Sequence, residues 1–311
     1  MKRQMLLFMW FVLLPAFGTT PIMVLGPDGG GFDEVLKVIP EELGHDFEVS
    51  HRLVNERTGY DQFENYIKSS GPRVVVLMDN VSINYFRRFQ TLNPDIKIPA
   101  VACMALFMDQ AVVGLNQVIG IRYEVPAVTS LVSLRDLIQQ PVDRVGVIYR
   151  EMSQEFFERQ KDLCAREQIE LIGVAIPNVN DDMSRAVRKA FDKLKKSNLD
   201  ALWVVNDSGL LSREALTYAW IPRIKRMKKP VVVGVRPLVE GVGHFAVLPD
   251  HQGIGLQITN AIFEIVDNNF ELTENHVVNP VAVRTVLNLN QEGLFTVANE
   301  KLGQVDVVIQ R

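Results

Sequence analysis

The chain has 311 residues, 47% of them hydrophobic, enough for two ordinary domains with their own cores and too apolar for a disordered chain. Its formal net charge of −4, from 33 Lys and Arg against 37 Asp and Glu, speaks against a nucleic-acid partner, because neutralising phosphates needs a basic face. The densest basic run, Arg223 to Lys229, precedes a predicted strand and reads as a solvated helix end.

Lys2 and Arg3, then the apolar run Met5 to Phe17, then Gly18, have the pattern of an export signal over residues 1–18. The run falls short of the roughly 20 residues that a membrane span needs, which leaves retention as an anchor the second option. A periplasmic location is therefore expected. Cys103 and Cys164 fall in different halves of the chain, so two buried free thiols are expected in place of a bridge.

From Pro21 onward strand and helix patterns alternate. Strands are expected from Pro21, Asp46, Arg73 and Ile98, with helices over Asp33 to Leu43, Tyr60 to Ser69 and Val81 to Gln90. Gly114 to Glu124 is less regular. The alternation then restarts with strands Asp143 to Tyr149 and Ile169 to Ile176, around a helix from Ser153 to Glu167. A helix from Asp181 to Lys196, capped by Asp181 or Asp182, leads to the strand DALWVV at Asp200, helical segments over Ser212 to Met227 broken at Pro222, and a strand from Pro230. The tail carries a long amphipathic helix after Pro249-Asp250, strand character over Val277 to Leu287 and a helix over Gln291 to Lys301.

Strands that are apolar throughout and separated by helices imply parallel sheets covered on both faces. The expected fold class is α/β: two doubly wound, Rossmann-like lobes with a ligand cleft between them. The first lobe takes residues 19–122 plus 250–276 and the second 123–249 plus 277–311, giving three connections between them.

Three stretches carry a resemblance: VDRVGVIYRE from Val142, DALWVVNDS from Asp200, and KPVVVGVRPLVEGVGHFAVLPDHQGIGLQ from Lys229. Through them the chain resembles the ABC-transporter substrate-binding proteins of the type I periplasmic binding protein fold, a family with aromatic amino-acid binders. The resemblance implies an exported, monomeric protein that holds an amino acid or related carboxylate between its lobes and delivers it to an inner-membrane ABC permease. The alternative is a periplasmic sensing subunit that signals to a membrane kinase or other receptor. Two loops depart from the family pattern: Tyr149-Arg150-Glu151-Met152-Ser153 replaces a turn of small hydroxyl residues, and His251-Gln252 follows Asp250 where an aromatic is usual.

Strand ends supply the candidate ligand contacts. In the first lobe these are Asp28 and Gly29, Asp79 and Asn80, and Met104 after Cys103; in the second they are Tyr149 and Arg150, Asn206 and Asp207, and Arg236. Asp79-Asn80 and Asn206-Asp207 serve equally well as helix caps, Tyr149 as cover for a sheet edge, and either arginine as a ligand clamp or a salt-bridge partner. An Asp207→Ala change is expected to lower ligand affinity with little loss of stability. The cluster Gly29-Gly30-Gly31 fits neither G-x-G-x-x-G nor the phosphate-loop pattern, so no cofactor is expected. The five histidines form no metal spacing and there is no G-x-S-x-G elbow, so neither a metal nor catalysis is expected; His251 beside Asp250 is the one pair placed for acid–base work.

Overall fold

A computed structural model describes residues 19–178, 182–290, 295–297 and 299–310. The expected export signal, Asp181 and residues 291–294 and 298 of the expected late helix lie outside them; residues 295–297 of that helix are not helical, and Val297 instead bridges to Ile138.

Strand β1 (Thr20–Gly26) shows why the first sheet forms. Its residues are apolar on both sides, with Ile22 and Val24 facing one helix layer and Met23 and Leu25 the other. Strands β2 (Phe47–Leu53), β3 (Val74–Met78), β4 (Ala100–Cys103) and β5 (Val118–Ile121) join it in parallel, in the order β2-β1-β3-β4-β5. Helices α1 (Gly31–Leu43), α2 (Tyr60–Ser70), α3 (Asn80–Leu92) and the short α4 (Met108–Ala111) lie between the strands. β5 falls in the irregular stretch of the sequence. It is only four residues long, VIGI, and its fully buried pattern carries no periodicity to betray it.

The second lobe repeats the plan. After α5 (Ala127–Leu137) come β6 (Arg144–Arg150), α6 (Gln154–Arg166), β7 (Glu170–Ile176), α7 (Met183–Leu194) and β8 (Ala201–Val204). Then follow α8 (Arg213–Ala215), a π-turn at Leu216–Trp220, α9 (Ile221–Met227), β9 (Val231–Val232), α10 (Arg236–Gly241) and β10 (Phe245–Pro249). Pro222 does not break the helical run. It sits in the first turn of α9, and the widened π-turn before it lets the chain run on despite the missing N–H.

Helix α11 (His251–Asp267) returns to the first lobe, packing on α1 and burying Ile254, Ile258 and Ile262 in its core. The strand expected over Val277 to Leu287 is two strands on different sheets. β11 (His276–Val278) pairs with β5 in the first sheet, and β12 (Val283–Asn288) pairs antiparallel with β10 in the second. Asn279 to Ala282 separate them, so the first sheet extends to Val278, two residues beyond the boundary drawn from sequence. Helix α12 (Asn299–Leu302) and strand β13 (Val307–Ile309), parallel to β12, complete the second sheet, whose order is β7-β6-β8-β9-β10-β12-β13. The chain thus crosses between lobes after β5, at Asp250, and between β11 and β12.

Each sheet has an apolar cluster on both faces. Cys103 and Cys164 are free and buried, as expected. Among the described residues no helix is long and apolar enough to cross a membrane. The expectation that the chain has no basic face is not met: α7 and α9 lie together on the second lobe and concentrate cations that the net charge conceals.

Candidate functional site

In a parallel sheet of order 2-1-3-4-5, the chain leaves the first strand in one direction and the third in the other, which opens a crevice at their carboxyl ends. Both lobes have this order, so the crevices lie at β1/β3 and β6/β8. The lobes meet carboxyl end to carboxyl end. Phe107, just past β4, packs edge-on against Phe156 at 5.4 Å, and Asp109 accepts from Arg159 of α6 at 2.7 Å.

At β1/β3 the sequence places Asp28, Gly29, Asp79 and Asn80. Asp28 and Gly29 stand exposed on the loop, where the Gly29 N–H donates to Asp33 at 2.9 Å. Gly29 and Gly30 have φ of 90° and 55°, and a Cβ on Gly31 would fall 2.3 Å from the His251 ring. The glycine cluster is therefore a tight turn seated on the interlobe crossing. Asp79 caps α3 by accepting from the Ser82 N–H at 2.7 Å, and its φ of 150° is a strained geometry for a residue with a Cβ. Burial pushes its carboxyl above the usual range. Asn80 gives both halves of its amide to Leu106: Nδ2 donates to the carbonyl and Oδ1 accepts from the N–H, each at 2.9 Å. It fixes the loop after β4, on which half-buried Met104 turns at φ 53°.

At β6/β8 the chemistry is charged. Arg150 grips Asp207 through two bonds of 2.7 Å, from Nε and Nη2, and its Nη1 donates to the Asn178 carbonyl at 3.3 Å. Asp207 is 1% exposed and also accepts from the Gly209 and Leu210 N–H groups at 2.9 and 3.4 Å. The guanidinium occupies the place of a side chain at Gly209, where a Cβ would lie 2.7 Å from Cζ. The fork that a ligand carboxylate would need on Arg150 is taken by Asp207. Asn206 donates from Nδ2 to the Gly234 carbonyl at 3.1 Å, while its Oδ1 is buried with no partner among the described residues. An unpaired buried acceptor costs free energy that a ligand N–H or ammonium can recover.

The remaining candidates lie apart from this group. Tyr149 is 5% exposed, stacks on Phe157 at 4.3 Å and donates to Gln154 at 2.7 Å, so its ring belongs to the second lobe's core. Arg236 opens the short α10, exposed, and pairs with Glu240 at 3.2 Å one turn on.

Sequence reasoning singled out His251 and Asp250 but missed the other groups at the crossings. Asp109 receives both Arg122, at 3.0 Å, and Arg159. Half-buried Glu124 accepts from the Phe107 N–H, and burial raises its carboxyl above the usual range. His251 lies between Tyr123 and Glu34, its Nε2 3.0 Å from the Tyr123 hydroxyl and its Nδ1 3.0 Å from the Glu34 carboxylate. Asp250, its sequence neighbour, instead caps α11 through the Gln252 N–H at 3.0 Å and pairs with Arg284 at 3.1 Å. No sequence signal marks most of these residues, because they come from the irregular stretch between β4 and α5. Among the described residues no group of three His, Cys, Asp or Glu is placed to hold a metal ion.

No protein-family model matches the chain, and no curated protein matches it. Solved structures do. A Streptococcus pneumoniae ABC domain in complex with L-Trp is 19% identical, with a TM-score of 0.63 over 94% of this chain and all of that one. A ligand-free, open substrate-binding protein with adhesive properties from Clostridium difficile is 15% identical, with a TM-score of 0.67 over the same shares. A solute-binding protein of a Rhodopseudomonas palustris ABC transporter in complex with 3,4-dihydroxybenzoic acid is 11% identical, with a TM-score of 0.52 over 82% of each chain. Two facing sheets of the same order, three crossings and these likenesses establish that the chain has the two-lobed fold of the ABC solute-binding proteins, the type I periplasmic binding protein fold.

Proposed function

We propose that the protein is an exported solute-binding protein that holds an amino acid or related carboxylate between its lobes and delivers it to an ABC permease. The observation that carries this reading is the pairing of the two crevices, β1/β3 and β6/β8, across a contact made by the loops at their carboxyl ends. A ligand there touches both lobes, so binding favours the closed arrangement and a membrane partner can read it.

The polar groups suit a small zwitterion. The Asn206 Oδ1 accepts from an ammonium, and the N-terminus of α6, where Ser153 makes no side-chain capping bond, offers its positive end to a carboxylate. Arg150 acts through Asp207 and holds the wall. Two structural neighbours hold ligands that join a carboxylate to an aromatic ring, which makes aromatic amino acids and aromatic acids the first compounds to test.

The test is a thermal-shift screen, since a ligand that binds the native state raises the midpoint by mass action. Amino acids or organic acids should raise it in proportion to the logarithm of their concentration. A shift with sugars or purines and none with these acids would overturn the ligand reading. Export is checked by N-terminal sequencing of the secreted protein, with Thr19 expected as the first residue.

A further inference from the structure

Charge collects along α7 and, most densely, at the end of the second lobe that faces away from the cleft. Between positions 183 and 229 the chain has twelve Lys and Arg against four Asp and Glu, in a molecule of net charge −4. Three of the four acids are committed: Asp207 to Arg150, Asp192 to Arg223, and Asp200 to the N–H groups of Asp143 and Arg144. The excess is exposed, along the outer face of α7 and in the last turn of α9.

Helix C-termini favour cations through the helix dipole, which accounts for one or two such residues in a last turn. It does not account for this face, because α1, α3 and α11 of the first lobe end with no basic residue in the last turn at all. The surface is also shaped. The Arg223–Asp192 pair ties α9 to α7, and between the two helices runs a groove of about 340 Å³. Its floor is apolar, from Phe191, Leu194, Leu199 and Met227, and its rim carries Lys195, Arg226 and Lys229. Leu199 and Lys229 stand just before β8 and β9, at the amino ends of the strands, so an occupant leaves the cleft clear.

We propose that this face docks on an anionic phospholipid surface, the rim cations holding headgroup phosphates and the apolar floor receiving the glycerol-ester region beneath them. An apolar floor under a cationic rim matches a surface whose charge lies over hydrocarbon. A nucleic-acid backbone would call for a polar, continuous track in place of a short apolar groove. The proposal holds whatever solute the cleft takes.

The experiment is vesicle co-sedimentation of the protein expressed from the full sequence and purified as the cell delivers it. Phosphatidylcholine vesicles with about one-third phosphatidylglycerol are compared with pure phosphatidylcholine at about 0.1 M salt. An uncleaved N-terminal segment would enter both, so the difference between lipids reads the basic face. The wild type should partition roughly tenfold better into the anionic vesicles and be released at about 0.5 M salt. The triple variant Lys195→Gln, Arg226→Gln, Lys229→Gln should lose roughly tenfold, while Lys37→Gln, Arg57→Gln, Lys97→Gln, three exposed first-lobe changes of equal charge, should lose little. Equal partitioning of the wild type into both lipids would overturn the proposal, as would equal losses in the two triples. Displacement from vesicles by a duplex oligonucleotide at equal phosphate concentration would reassign the face to nucleic acid. If the groove triple fails to fold, the wild-type lipid and salt comparisons still decide.

Discussion

The two walls of the cleft share one sheet topology and differ in chemistry. At β1/β3, Asp79 is spent on a helix cap and Asn80 on the Leu106 backbone, so both side chains build the wall. At β6/β8 a closed ion pair, Arg150 with Asp207, supports the turn, and Asn206 keeps one buried oxygen open. These five polar residues at two equivalent crevices thus leave one unpaired acceptor among the described residues. Residue type nominates a wall, and only the bonding of each side chain shows which atom remains for a ligand.

The largest expected effect comes from the charged wall. Asp207→Ala would leave a largely buried guanidinium and two N–H groups without their acceptor, and should cost about 3 kcal/mol of stability, since solvent at Arg150 recovers part of the loss. The burial of Asp207 replaces the expectation from sequence that stability would hardly change. Urea denaturation measures it, and a loss below about 1 kcal/mol would mean that the pair behaves as an exposed one. On the other wall, Asn80→Ala removes two reciprocal bonds to Leu106 and should cost about 2 kcal/mol by the same measurement, with ligand affinity falling less than stability.

Much of this architecture was legible in the chain. Uniformly apolar segments such as Val74–Met78 and Ala201–Val204 mark doubly covered strands, and the polar residues that end them, Asp79 and Asn206, do lie at the crevices. What stayed hidden depends on distance in three dimensions. VIGI at β5 is too short to show a period, and β11 and β12 read as one strand because hydropathy does not record a change of sheet. The bond from Arg150 to Asp207 spans 57 residues, and that from Tyr123 to His251 spans 128, so no local pattern announces either. The basic face was lost for a related reason, because net charge averages over a surface that α7 and α9 do not share evenly with the rest.

Asn206 offers the sharpest contrast with Asn80. Its replacement by Ala removes one 3.1 Å bond to Gly234 and an acceptor that already lacks a partner, so apo stability should change by about 1 kcal/mol or less. If Oδ1 receives a ligand donor, affinity should fall about tenfold or more, the worth of a hydrogen bond to a charged group. Calorimetric titration of the two variants then separates the walls. Asn80→Ala should lose mainly stability and Asn206→Ala mainly affinity, and the reverse pattern would place the ligand on the first lobe's wall.

The smallest effect is a difference in the sign of a pH dependence. Burial raises the Asp79 carboxyl, so as pH falls the native state takes up this proton before the unfolded chain does. Stability attributable to Asp79 therefore rises as pH falls through its folded value and levels off below the unfolded one. Asp109 has the opposite sign. Burial alone would raise it, but hydrogen bonds and charge from Arg122 and Arg159 hold it below the usual range, so its contribution is complete above the unfolded value and is lost as pH falls through the folded one. Urea midpoints across mildly acidic pH should show Asp79→Asn, which keeps a capping oxygen, removing a gain on acidification, and Asp109→Asn removing a loss. Parallel curves for the two variants would mean that the crevice carboxyl and the interlobe carboxyl share one environment, against the opposite bonding that surrounds them.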